Sequence, residues 1–238
     1  MFHLIEETTS FIRQRIGDFS PEFGVILGTG LGKLAEQVTV AHQLMYANIP
    51  NFPISTVEFH SGKLIFGTLE GRRIVAMQGR LHYYEGYSMQ QITFPVRVMY
   101  ALGIQKLFVS NASGSLNPAI QKGDLAILDD HINLLPDNPL RGVNDPRLGP
   151  RFPDMSRPYD VDMIRQALTI AQQQGITVHR AVYVSTPGPN FGDPRGISLY
   201  ASDWRRYCRD EYGTRGDCSR PHAPTRFCHL GGYRRGVP

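Results

Sequence analysis

Two short stretches hold the side chains best suited to chemistry. "QGRLHYYEGY" (78–87) presents Arg80, His82, Tyr84 and Glu85, and "FPISTVEFHSG" (52–62) presents Ser55 and His60. An Arg guanidinium grips an oxyanion through parallel N–H donors, and a nearby His adds a hydrogen bond and adjusts the local charge. Upstream, "GTGLG" (28–32) combines backbone N–H groups, little side-chain bulk and the Thr29 hydroxyl. That composition suits either a phosphate cradle or a plain tight turn. It lacks the Lys of a P-loop and the spacing of a dinucleotide fingerprint. Each stretch has a bland reading too, with Arg80 and Glu85 as a surface ion pair and His60 as a satisfied loop residue. Taken together, and with "SNASGSLN" (110–117), they point to a multivalent oxyanion site.

Other chemistries find less support. His60, His82 and His131 come from different loops without ligand spacing, and no HxxxH pattern or nearby Cys joins them, so no metal is expected. No GxSxG elbow or comparable arrangement singles out a Ser or Cys nucleophile. Phe152 and Phe191 have the flat faces to stack on a planar ligand, although such residues more often serve core or interface packing.

The elements that must position these residues alternate. "FGVIL" (23–27) is a short apolar strand that runs into the Gly-rich turn and then into a polar stretch with helical spacing. "KLIFGTL" (63–69) and "RRIVAMQG" (72–79) read as strands joined at Glu70-Gly71. Residues 89–103 space Ile92, Val96, Met99 and Tyr100 as a helix ending at Gly103, with Pro95 an internal irregularity. Strands follow at 105–117 and 123–135, a helix at 159–176 and a strand at 179–191. Several strands exit into loops containing Gly, Ser, Asn or His, where ligands gather in open α/β sheets. The reading is one α/β domain with a site assembled from several strand exits.

Composition narrows the classes. The chain has 238 residues and a formal charge of +4, yet residues 1–191 balance 16 basic against 16 acidic side chains. The whole excess lies in residues 192–238, with nine Arg and five acidic residues, so a fold-wide nucleic-acid surface is not indicated. The three cysteines, Cys208, Cys218 and Cys228, form no CxxC pair, and the cysteine-free body suits a cytoplasmic protein. The N-terminal stretch spaces Phe2, Leu4, Ile5, Phe11, Ile12 and Ile16 as an amphipathic helix, unlike the unbroken apolar core of a signal peptide. No apolar run approaches membrane-spanning length.

The ordered set "GTGLG", "IPNFPISTVEFHSGKLIFG", "MQGRLHYYEGY", "TFPVRV", "NASGSLNP", "GDLAILDDHINL", "NPLRGVNDPRLGPRFPDMS" and "YVSTPGPNF" resembles the trimeric purine nucleoside phosphorylases over residues 24–191. The resemblance implies a mixed central β-sheet flanked by helices. It also implies reversible phosphorolysis of nucleosides such as inosine and guanosine to free purine and (deoxy)ribose 1-phosphate, with inorganic phosphate as co-substrate and no cofactor. Carried over by position, Thr29, His60, Arg80, His82 and the backbone N–H of Ala112 match the phosphate site, with His82 as the catalytic residue. The family usually has Ser at the position of Thr29. Tyr84 matches a ribose contact, Phe152 the aromatic that reaches into the neighbouring subunit of a homotrimer, and Tyr183 and Phe191 residues near ribose and purine. Such a reaction needs positioning and electrostatics rather than a protein nucleophile. A methylthioadenosine phosphorylase is the runner-up, because the residues that select the purine lie beyond Phe191. A remnant that binds phosphate or nucleoside without turnover is the non-enzymatic alternative.

The resemblance stops at Phe191, where the family continues with Glu-Thr and this chain with Gly192-Asp193. One extra G after the Phe codon converts the bases of Glu-Thr into Gly-Asp. In the same register, codons for Gly-Met-Ser-Thr-Val-Pro-Glu-Val-Ile-Val read as Asp210 through Cys218. The expectation is therefore a nucleoside phosphorylase domain over 1–191 and an out-of-frame tail over 192–238, with the purine-binding half and the closing strands and helix lost. A genuine divergent basic tail is the alternative.

Overall fold

The computed structural model describes residues 1–28, 32–54 and 62–188, together with the backbone of Tyr207–Arg209 and Thr225–Gly231. It is a mixed α/β fold whose central mixed sheet is flanked by helices. Contacts divide it into two compact units, Met1–Val109 with Asp137–Met155, and Ser110–Pro136 with Ser156–Gly231.

In the first unit the strands β1 (Phe23–Leu27), β2 (Thr39–Met45), β3 (Lys63–Leu69), β4 (Arg72–Gln78) and the start of β5 (Lys106–Ser115) lie in the order β2-β3-β4-β1-β5. β1 is parallel to β4 and β5, while β2, β3 and β4 form an antiparallel meander. The β3–β4 hairpin turns at Glu70 and Gly71, both with positive φ (48° and 74°), as a tight primed turn requires. Two-residue periodicity then sends side chains to opposite faces. Leu64 and Phe66 of β3 and Val75 and Met77 of β4 join the cluster that holds α1 (Phe2–Ile16) and α3 (Met89–Leu102). Ile65, Ile74 and Ala76 point the other way, toward Ala35 of α2 (Gly32–Glu36), Val38 and Leu27.

The helices owe their places to their stripes and ends. α1 buries Ile5, Thr8, Ile12 and Ile16, one face at helical spacing. α3 opens with a capping box, in which the Ser88 hydroxyl accepts from the Gln91 N–H at 3.3 Å and Gln91 Oε1 accepts from the Ser88 N–H at 2.9 Å. It closes at Gly103, φ 110°. Its buried stripe is Phe94, Pro95, Val98, Met99 and Leu102, while Tyr100 is 49 % exposed. The helix read after "GTGLG" is present but short. Only five residues are helical, and Thr39–Met45 form edge strand β2, whose mostly exposed side chains give no apolar alternation.

The second unit contains the end of β5, β6 (Leu125–Asn133), β7 (Val178–Ser185), α4 (Val161–Gln173), β8 (Tyr207–Arg209) and β9 (Thr225–Gly231), in the strand order β5-β8-β7-β6-β9. β6 is parallel to β7 and β9, and β8 is parallel to β7 and antiparallel to β5. Its core gathers Ile120, Ala126, Leu128 and Ala181, with Tyr159 and Tyr183 against them. Asp160 caps α4, accepting from the N–H groups of Asp162 and Met163 at 2.9 and 3.0 Å. Among the described residues no helix is long and apolar enough to cross a membrane.

Candidate phosphate-binding turn

β4 ends at Gln78, and the chain turns at Gly79 (φ 92°) into Arg80, His82 and a single 3-10 turn, Tyr83–Glu85. Glu85 stands three residues after His82 and reaches back to cap that turn. Its Oε1 accepts from the His82 backbone N–H at 2.8 Å and lies 2.7 Å from His82 Nδ1. Both side chains are nearly enclosed, His82 at 9 % and Glu85 at 2 % exposed. Arg80 Nε donates to His82 Nε2 at 3.1 Å. This hydrogen-bond pattern assigns the proton to Nδ1, against the carboxylate, and turns Nε2 toward the guanidinium. The Tyr84 ring stacks on the His82 ring at 4.9 Å and 15°. Gly86, φ 92°, ends the turn just before the Ser88 cap of α3.

The structure therefore brings Arg80, His82 and Tyr84 together. It also corrects the surface-pair reading of Arg80 and Glu85, because Glu85 is buried against His82. Sequence reasoning missed that role, although an acidic residue at the third position of a short turn is a capping signature. The turn is tied to its surroundings by Tyr46, whose hydroxyl donates to the Gly79 carbonyl at 2.6 Å, and by Tyr87, whose hydroxyl donates to the Ile54 carbonyl. An open cavity of about 490 Å³ in this unit is lined by Gly32, Lys33, Glu36, Gln43, Lys63 and Gln78 among others. None of Arg80, His82 and Tyr84 lines it.

Phe152 belongs to the Asp137–Met155 segment and is 87 % exposed, with the Arg151 guanidinium 6.0 Å from its ring. In the second unit, Ala112 lies on β5 between the stretches in register with β1 and β8. Its neighbours Asn111 and Ser113 are buried, and Asn111 Oδ1 and Ser113 Oγ have no hydrogen-bond partner among the described residues. Tyr183 lies on β7 opposite His131 of β6 and packs on the core. The half-buried His131 contacts the Tyr159 hydroxyl through Nδ1 at 3.2 Å, and burial holds its pKa below the usual 6.5 despite the neighbouring Asp130 charge. Thr29, His60 and Phe191 lie outside the described residues, as does the tail from Gly192 apart from the backbone of β8 and β9.

An Arg guanidinium set against a His ring, with a buried carboxylate behind that ring, is an arrangement suited to an anion. Residues 22–206 match the phosphorylase superfamily. The chain belongs to that family. It is 48% identical to purine nucleoside phosphorylase 1 of Geobacillus stearothermophilus over 195 residues, covering 82% of this chain and 71% of that protein. It is 50% identical to purine nucleoside phosphorylase 1 of Bacillus subtilis over 193 residues, 81% of this chain and 71% of the relative. A phosphorylase of this kind solved with ribose 1-phosphate superposes with a TM-score of 0.83 at 38% identity, covering 96% of this chain and 86% of that one. The Schistosoma mansoni enzyme solved with inosine gives 0.82 at 37% identity, covering 96% and 82%.

Proposed function

We propose that this chain is built for the reversible phosphorolysis of purine nucleosides, in which phosphate takes the C1′ position of the sugar as the purine leaves. The observation that carries the reading is the enclosed Glu85–His82 pair with Arg80 on the same ring. Arg80 would grip two phosphate oxygens, and on phosphate binding His82 would give up the Arg80 Nε–H that its Nε2 accepts, take a proton there and donate to another oxygen, with Glu85 facing Nδ1. Thr29, His60 and the Ala112 N–H complete the proposed phosphate set. Tyr84 would face the ribose, and Tyr183 and Phe191 the ribose and purine. The reaction asks for oriented phosphate and stabilisation of an oxocarbenium-like sugar, with no cofactor and no protein nucleophile. The solvent-facing Phe152 suits a residue that reaches into the next subunit of a homotrimer. A cytoplasmic setting suits the cysteine-free body, residues 1–191.

Residues 192–238 are best read as out of frame, which removes the purine-binding Glu expected after Phe191 and leaves the chain impaired. Calorimetry on the 238-residue chain, with phosphate and then inosine, and an assay for released hypoxanthine test the reading. Phosphate is expected to bind and turnover to be scarcely detectable, with activity appearing once the extra base is removed. Failure to bind phosphate would sink the site assignment, and brisk turnover by the unaltered chain would sink the impairment. A gene sequence at codon 192 that no single-base change returns to Glu-Thr would sink the frame argument.

A further inference from the structure

We infer that Tyr46 is a positioning residue for the phosphate-binding turn, acting through its hydroxyl on the Gly79 carbonyl. The inference rests on the phosphate reading above and adds a residue to it. Tyr46 is 1 % exposed, and a buried phenol ordinarily needs a partner for its O–H. Its partner is the carbonyl at the head of the turn, one residue before Arg80, at 2.6 Å. Its backbone N–H donates to the Gly62 carbonyl at 2.9 Å, and Gly62 follows His60 by two residues. A Cβ on Gly62 would fall 2.1 Å from Tyr46 Cδ2, so the ring occupies space that only a glycine leaves open. The ring is anchored in turn by Phe52 at 4.8 Å, which meets Phe94 of α3 at 6.3 Å. Tyr46 thus joins the strand entry after His60 to the exit of β4 into Arg80 and His82, and is tied to α3 through Phe52. Burial pushes the phenol pKa up, so the group remains a donor throughout the ordinary pH range.

A core aromatic would need only the ring, whereas a positioning residue needs the hydroxyl, and Tyr46→Phe separates the two. In the full 238-residue chain this variant is expected to keep its melting midpoint within a few degrees. It should bind inorganic phosphate about five- to tenfold more weakly, the loss of one buried hydrogen bond. Amide exchange of Arg80–Glu85 should quicken while that of α1 is unchanged. Ile12→Val, which loosens the same buried cluster from the side of α1, should lower the melting midpoint and leave phosphate affinity within twofold.

Equal phosphate affinity in the parent and Tyr46→Phe overturns this inference and leaves the phosphate site standing. Equal losses in Tyr46→Phe and Ile12→Val, or a Tyr46→Phe chain that fails to fold, assign Tyr46 to the core alone and overturn it too. A parent chain that binds no phosphate overturns the site assignment, and the role of Tyr46 with it.

Discussion

Glu85 stands behind His82 as a carboxylate with 2 % exposure, and its charge has little water to screen it. Glu85→Gln keeps the size and an acceptor oxygen while removing that charge. Hydrogen bonds to charged groups are worth about 1.5–3 kcal/mol, so phosphate affinity should fall at least about tenfold. Calorimetry checks this, and a change below twofold would place Glu85 in the turn's architecture alone. Arg80 and His82 were legible in the sequence because a two-residue spacing at a strand exit puts a cation and an imidazole side by side. Glu85's true partner was not legible. Its choice between Arg80 and His82 depends on the 3-10 turn of Tyr83–Glu85, which folds the carboxylate back onto its own N-cap.

At the scale of elements, β6 carries a half-buried titratable group, His131. Burial keeps the folded pKa of His131 below 6.5. The unfolded chain therefore takes up the proton first as pH falls. The stability linked to neutral His131 is complete above pH 6.5 and drains away as pH descends toward the folded value. Thermal melts at pH 7 and pH 5 should show a drop that His131→Asn partly removes, and identical drops would refute this. The sequence disclosed strands β1, β3 and β4 through unbroken apolar runs, and β6 and β7 through apolar starts with polar exits. It concealed β2 because an edge strand with one weakly covered face has no alternation to detect. On α3 the inward stripe differs from the apolar spacing because Pro95 packs as a core residue and Tyr100 remains outside.

For the whole molecule, the two units were not foreseen from sequence. Their division depends on contacts between distant segments, such as Asp137–Met155 returning to the first unit, where Gln90 Nε2 donates to the Arg141 carbonyl at 3.1 Å. The Asp137–Met155 segment also leaves Phe152 at 87 % exposure, with Val143 fully exposed and Met155 at 54 %. Large apolar groups exposed along one segment favour burial against another copy. Light scattering should therefore show mass rising with protein concentration, and Phe152→Ser should shift that rise to higher concentration. Unchanged association in the variant would remove Phe152 from the contact. If the association holds, a chain diluted below its assembly range meets the cell with its stickiest segment bare. Its lifetime would then be set by how many copies surround it as much as by how firmly each one folds.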